Sequence, residues 1–556
     1  MTRERVVVVG AGMVGTRFAE ELARADREGR FDVLVLGEEE YEPYNRILLT
    51  ELVAGRAELA SLVLPRPAGV TVRLGARVDG IDRGARTVWV DGEPIPYDHL
   101  VLATGARARV LRVPGLDGAP GDPLPGGVFA LRSVDDARGI TAAALNARRA
   151  VVVGGGPLGV EVACGMRLRG VAVEVISFAG HLLDRDLDPA PGRLLADAVS
   201  DLGITFHGNA ALAGVTCAPP RFDGLSPQSV PSTGGEPVKS WRGRGGHVEA
   251  VVLDDGRTLA ADLVVLAAGA VPETALAGAA GLEVAHGIVV GDDLTTTYDP
   301  AIHAIGDCAQ TPSGVSGLVA PGWEQARALA RRLTDGGTAA DPAPVVVDGG
   351  TAADPAPVVV DGAAMRLKAA GLSLVAMGRK ASCADGARVL TMSDPYARRY
   401  VEVVLDGDEL VGMTCLGAAE LAASLSVQYG RPGVVPLDPL QLLAPSAGQA
   451  DAAAGSPTTM PGSTTVCRCN GVTKRDLVAA WDGGACSVDA LAATTRATTG
   501  CGGCVSLVRG IADWLVVSTG STGGEGVSTG GEGVSTGGEG GSQTATPSRE
   551  PVVKGA

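Results

Sequence analysis

The chain has 556 residues, a formal net charge of −16 and 46% hydrophobic residues. That length accommodates three or four domains, and the acidity argues against a nucleic-acid surface and against an anionic membrane face. No apolar run reaches membrane-spanning length, Met1 to Arg5 lead straight into an apolar strand, and the ten cysteines show no disulfide framework, so a cytoplasmic protein is expected.

Val6–Val9 reads as a buried strand, and Gly10-Ala11-Gly12-Met13-Val14-Gly15 turns it into a helix predicted over Thr16–Ala25. The first glycine permits the tight turn, the second admits a pyrophosphate to the backbone, and the third packs helix on strand. The next strand, Val33–Leu36, ends at Gly37-Glu38, which places Glu38 to accept from ribose hydroxyls. Tyr97 to Leu102 is a strand that closes on Ala103-Thr104-Gly105.

The fingerprint then recurs. Ala150–Val153 leads into Gly154-Gly155-Gly156-Pro157-Leu158-Gly159-Val160-Glu161, and Asp262–Pro272, with Gly269 in its turn, repeats the small-residue strand ending. Two such units imply two dinucleotides, or one dinucleotide and a degenerate copy. Strand Val173–Ile176 ends at Ser177-Phe178-Ala179-Gly180, with neither an acid for an adenosine ribose nor an arginine cluster for a 2′-phosphate. The choice between NADH and NADPH therefore stays open.

Residues 218–247, rich in Pro, Gly and Ser, interrupt the second unit as a surface insertion. Ile302 to Asp307 reads as a strand ending in an exposed carboxylate, and Leu318 to Gln325 opens a helix. A thirteen-residue segment, Asp335–Val347, is repeated without change as Asp348–Val360, which suggests an extra loop. Alternating strands follow over Ala364–Leu416, then a linker rich in Ala, Gly, Ser and Pro over Pro445–Thr465. Such a linker would let the next domain swing.

Four cysteines close the ordered part, in the pattern Cys467-x-Cys469-x31-Cys501-x2-Cys504. Two short clips with glycines at Gly500, Gly502 and Gly503 can wrap an iron–sulfur site; structural zinc is the alternative, although zinc clips usually leave two to four residues between partners. Thr473 should cap a helix over Lys474–Trp481 with Asp476 as the capping-box acid, Ser487 should cap Val488–Ala493, and Cys504 should open a helix through Trp514. Cys486, between the clips, reads as a buried thiol outside the ligand set. From residue 518 the glycine-rich heptad repeats predict a disordered tail.

The order of motifs resembles the two-dinucleotide flavoprotein reductases. The resemblance implies an α/β chain with two Rossmann-like domains, glutathione-reductase-like, the second inserted in the first. A small α+β reductase domain and a small helical [2Fe–2S] domain follow. The implied boundaries are 1–120 with 285–334 for FAD, 121–284 for NAD(P)H, 335–360 for the duplicated loop and 361–444 for the small domain. Linker 445–465, cluster domain 466–517 and tail 518–556 complete the chain. FAD would rest on Gly10, Gly12, Gly15, Glu38, Arg46, Ala103, Thr104, Gly105, Asp307 and Glu324, with Asp307 matching the acid that holds the ribityl chain. NAD(P)H would rest on Gly154, Gly156, Gly159, Glu161 and Gly269.

Disulfide reductases of that superfamily need a thiol beside the flavin, and no cysteine precedes Cys164. Glu42-Pro43-Tyr44-Asn45-Arg46 through Thr50 is instead similar to the flavin module of assimilatory nitrate and nitrite reductases, as are Gly127–Asp136 and Leu182–Asp188. The cysteine spacing and Thr499-Gly500-Cys501-Gly502-Gly503-Cys504 resemble the bacterioferritin-associated ferredoxin module, which implies [2Fe–2S] on Cys467, Cys469, Cys501 and Cys504. Together these imply electron transfer from NAD(P)H through FAD and cluster to a nitrate reductase catalytic subunit, with no side chain needed as acid or base. The alternatives are a separate sirohaem nitrite reductase subunit, a ferredoxin or rubredoxin reductase activity, and a non-catalytic redox sensor.

Overall fold

The computed structural model describes residues 3–117, 122–218, 246–335, 364–369, 371–384, 386–429, 435, 438–443, 457–458, 460–467, 470–500 and 502–520. At the centre of the first sheet is β1 (Glu4–Val9), paired in parallel with β2 (Phe31–Leu36) on one side and His99–Leu102 on the other. Thr71–Arg73 extends the sheet beyond β2, Asp299–Ala304 extends it beyond His99–Leu102, and Thr295–Thr296 closes that edge antiparallel. Val6, Val7 and Val8 are fully buried, as expected of a central strand covered on both faces. Helix α1 (Met13–Ala25) covers one face through Phe18, Ala19 and Leu22. It starts at Met13 rather than Thr16, because Gly12 itself is the extended N-cap and Gly15 falls within the first turn.

The second sheet repeats the arrangement, with Arg149–Val153 between Ala172–Ile176 and Leu263–Leu266, and with Ile204–His207 and Val128–Ala130 outside, all parallel. Helix Pro157–Leu168 follows its glycine turn. All five strands fall in sequence between His99–Leu102 and Asp299–Ala304 of the first sheet. The chain crosses between the sheets twice at one place, where Ala106–Ala108 and Ala270–Pro272 pair antiparallel.

The third unit is a five-stranded antiparallel sheet in the order Ala364–Ala369, Leu372–Gly378, Glu409–Leu416, Arg399–Asp406, Arg388–Asp394, followed by helix Ala419–Gln428. It meets the second unit at helix Pro157–Leu168, which also packs on α2 (Leu49–Ala54) of the first unit, where a side chain at Gly165 would stand 3.1 Å from the Ala54 Cβ. Leu367 and Leu374 share a core with Val53 and Val160 there.

The last unit is small. Hairpin Thr465–Cys467/Val472–Thr473 leads into helices Lys474–Asp482, Val488–Thr495 and Val505–Gly520. Thr473 and Asp476 form the reciprocal capping box, and Ser487 caps the second helix by accepting from the Ala490 amide at 3.1 Å. The final helix runs past Trp514 to Gly520. Cys486 is exposed rather than buried: it follows the Gly483-Gly484 turn, which carries the thiol to the surface, away from the core of Leu477, Leu491, Val508 and Ile511. The insertion over 219–245, nearly all of the duplication, linker residues 445–456 and the tail from 521 lie outside the described residues. No helix among the described residues is long and apolar enough to cross a membrane.

Candidate cofactor cleft and cluster site

The two glycine turns are local copies of one another. Gly10 has φ +116° and Gly154 φ +127°; a Cβ on Gly10 would lie 2.2 Å from the Ala103 carbonyl oxygen, and one on Gly154 would lie 2.3 Å from that of Ala267. Gly15 and Gly159 back onto the Gly10 and Gly154 carbonyls, where a side chain would sit at 2.1 and 2.0 Å. Gly12 and Gly156 face open space, and each is an extended N-cap without a side-chain partner. Both helices therefore leave free N–H groups over room that a Cβ would partly fill, which suits a pyrophosphate. Ala103 closes the first turn from behind, while Thr104 Oγ1 donates to the Glu273 carbonyl at 2.7 Å and the Gly105 carbonyl accepts from the Glu273 amide at 2.8 Å.

A cleft of about 2890 Å³ opens from the first turn. Single-ligand sites run to roughly 1,000 Å³, so it has room for more than one ligand. Gly10, Gly12, Glu38, Arg46, Thr104, Gly105, Asp307 and Glu324 line it together. Glu38, at the end of β2, is largely exposed, 3.5 Å from Arg77. Arg46 is held by Glu39 at 2.5 Å, by the Arg132 carbonyl at 2.9 Å and over the Tyr44 ring at 4.8 Å, so it is a paired arginine at the cleft wall. Asp307 is not the exposed carboxylate expected. It sits in a short 3₁₀ turn, Gly306–Cys308, and accepts from Arg132 at 2.6 Å, so an arginine distant in sequence covers it. Helix Val319–Thr334 points an uncapped N-terminus into the same cleft beside Glu324.

On the side of the second glycine turn, Pro157 and Ala270 reach the cleft, next to Gly156 and Gly269. Glu161 is buried with both oxygens engaged: Oε2 accepts from Thr50 Oγ1 at 2.7 Å, and Oε1 from the Lys368 amide at 2.9 Å and Lys368 Nζ at 3.1 Å. It ties the first and third units to the second, and Lys368 lines the cleft at that joint. Ser177 Oγ turns back to cap the Ala179 amide at 3.2 Å, and Phe178 beside it is exposed. The cysteines nearest the two turns are unsuited to redox work. Cys308 is fully buried against the Leu102 and Ile305 carbonyls, and burial pushes the Cys164 thiol up to about 11.

Cys467 and Cys504 line the cleft as well, so the last unit is seated over its mouth. Asn45, buried in the Tyr44-Asn45-Arg46 segment, donates to the Thr499 and Gly500 carbonyls at 2.7 and 2.8 Å. Arg17 of α1 donates to Asn470 Oδ1 at 2.8 Å, and Arg496 pairs with Glu20 of α1. Both sulfurs are buried and have donors: the Thr498 amide reaches Cys504 Sγ at 3.3 Å, and Asn470 Nδ2 reaches Cys467 Sγ at 3.7 Å. A hydrogen bond from Cys504, then the Asn470 and Thr498 amides, hold the Cys467 thiol well below its ordinary range despite burial. Two adjacent buried thiols, one of them readily deprotonated, fit a metal-bound sulfur site. Cys469 and Cys501 lie outside the described residues, among which no group of three metal-binding side chains occurs.

Arg17, Lys368 and Asn470 belong to no motif in the sequence, while Asn45 and Arg132 stand there only as members of the Glu42–Arg46 and Gly127–Asp136 stretches. A signal for Arg17 is its place five residues after Gly12, as Glu161 stands five after Gly156.

Residues 4–220 and 225–328 match the model of a pyridine nucleotide-disulphide oxidoreductase, and residues 465–514 that of a BFD-like [2Fe–2S] binding domain. The chain is 32% identical over 530 residues to the nitrite reductase [NAD(P)H] large subunit of Klebsiella oxytoca, covering 94% of this chain and 50% of that protein. It is 29% identical to the assimilatory nitrate reductase electron transfer subunit of Bacillus subtilis, covering 93% and 60%. A ferredoxin reductase from Rhodopseudomonas palustris has the same fold, with a TM-score of 0.61 and 26% identity over 81% of this chain and 100% of that one. The chain thus spans about half the length of the nitrite reductase subunit it resembles.

Proposed function

Because the chain belongs to the pyridine nucleotide-disulphide oxidoreductase family, as an NAD(P)H-dependent flavin enzyme with a [2Fe–2S] domain, we propose that it passes electrons from nicotinamide to a separate reductase of nitrate assimilation. Bound FAD would supply acceptance of a hydride as an electron pair, and a bound cluster would supply one-electron relay. The observation that carries the reading is that Cys467 and Cys504 share one cleft with Gly10, Gly12, Arg46 and Asp307.

The residues divide the work by position. Gly12 and the α1 N-terminus take the FAD pyrophosphate, with Glu38 on the adenosine ribose. Arg132 holds the Asp307 carboxylate in place for the ribityl chain. The uncapped N-terminus of Val319–Thr334 favours negative charge at the flavin ring. Gly156 and the N-terminus of Pro157–Leu168 take the NAD(P)H pyrophosphate, while the Glu161–Lys368 pair fixes the angle between units. Cys467, Cys469, Cys501 and Cys504 hold the cluster. The acceptor we favour is the catalytic subunit of assimilatory nitrate reductase, whose electron transfer subunit in Bacillus subtilis resembles nearly the whole of this chain. A second reading, supply to a nitrite reductase, has the Klebsiella oxytoca relative in its favour.

Anaerobic titration of the purified protein with NADH and then NADPH, followed by visible absorption and EPR, tests the route. Flavin bleaching followed by a reduced [2Fe–2S] signal is expected; flavin that bleaches with no cluster signal would defeat it. Pull-down from nitrate-grown cells separates the acceptors, a molybdenum-containing partner for one and a sirohaem partner for the other.

A further inference from the structure

The seam between α1 and the last unit holds a hydrogen-bonded chain that none of the cofactor assignments uses. Arg17 is 7% exposed although charged, and its guanidinium is shared among Glu21, the Trp323 ring at 5.7 Å and Asn470 Oδ1 at 2.8 Å. Asn470 is 6% exposed. Its two amide protons have three acceptors in reach: the Arg496 carbonyl at 2.6 Å, Thr499 Oγ1 at 3.4 Å and Cys467 Sγ at 3.7 Å. The Arg496 backbone is left-handed (φ +64°), which turns its carbonyl onto Asn470 while its side chain reaches Glu20 on α1. A strained non-glycine residue at this point indicates an arrangement fixed by its contacts.

We infer that Arg17, acting through Asn470 on Cys467, ties the potential of the cluster to the seating of its domain on the flavin domain. This rests on the cluster assignment proposed above. A cation donating to the amide oxygen draws charge from the nitrogen and strengthens the N–H bond that the nitrogen gives to sulfur. A stronger bond to sulfur stabilises the added electron, so the reduced cluster is favoured while the domain is seated. Without the Arg17 cation on Asn470, the bond to sulfur weakens and the electron becomes easier to give up. One electron enters and one leaves; no proton or further reactant is needed. The cluster therefore draws charge from flavin in the seated position.

The test is an EPR-monitored redox titration of the full-length holoprotein, with the flavin midpoint as internal reference. Arg17→Met keeps the apolar stem over Trp323 while removing the cation. We expect its cluster midpoint to fall so that the flavin-to-cluster electron partition drops about tenfold, or 59 mV for one electron. Asn470→Ala should fall at least as far, the double variant no further than Asn470→Ala, and Arg17→Lys should recover part of the difference. If Asn470→Ala fails to assemble the cluster, Arg17→Met against Arg17→Lys carries the test. Wild-type midpoints in both Arg17→Met and Asn470→Ala would overturn the inference, and so would full additivity in the double variant. A wild-type protein with no [2Fe–2S] signal would instead overturn the proposed function.

Discussion

Helices α1 and Pro157–Leu168 start from the same backbone and end in different jobs. Both are capped by an open extended glycine, both are preceded by a glycine at positive φ pressed against a carbonyl, and both bury a charged residue five positions after the cap. In the first that residue is Arg17, which reaches into the cluster domain; in the second it is Glu161, which reaches into α2 and the third unit. The backbone suits a pyrophosphate in either place, because it offers only N–H groups and a dipole. The charge beyond it decides which neighbour each helix holds.

The harshest way to break this symmetry is at the turns. Gly10→Ala and Gly154→Ala each force a methyl group into a carbonyl at unfavourable φ, costing about 4 kcal/mol locally. The first should lose flavin from the purified protein, seen by absorbance. The second should keep flavin but lose its reduction by NAD(P)H, and retained reduction would show the two turns not to be divided in this way. Next in size, Glu161→Ala strands Lys368 in a largely buried joint, at about 3 kcal/mol. Urea denaturation should show that loss, and Glu161→Gln should recover part of it.

Acid should separate the two sheets further. His303, buried in the first sheet and stacked 5.9 Å from His99, is held down to about 4 from an ordinary 6.5 by burial and then by His99. Its folded pKa lies below its unfolded one, so the unfolded chain binds the extra proton. The neutral ring's stability is present above pH 6.5 and is lost as pH falls toward 4, by roughly 3 kcal/mol in full. Flavin release measured across that range should steepen with acidity in the wild type and flatten in His303→Gln. The smallest effect concerns Ser177, at the strand end where the first unit has Gly37-Glu38. Ser177→Asp should repel a 2′-phosphate and shift the kcat/KM ratio toward NADH about tenfold, or roughly 1.4 kcal/mol.

What could be read from sequence follows from how locally each feature is determined. The glycine turns were legible because positive φ and close carbonyls exclude other residues within a few positions. The Thr473–Asp476 box was legible for the same reason. Helix α1 starts three residues earlier than the end of its glycine pattern suggests, because fingerprint glycines can lie inside a helix as well as before it. Arg132 on Asp307, Asn45 on the cysteine loop and Lys368 on Glu161 join residues 175, 455 and 207 positions apart, and no local period announces such pairs. Cys486 is exposed against its sequence expectation, because a thiol's apolar character says nothing of a glycine turn that carries it outward.

The paired crossing of Ala106–Ala108 and Ala270–Pro272 has a practical meaning for protein engineering. Since outgoing and returning chain lie side by side, everything between them is a cassette whose removal cuts no strand of the six-stranded sheet. A dinucleotide-reading module from another source, spliced at those two strands and carrying counterparts of Arg132 and Glu161, would meet the first unit on its existing footing.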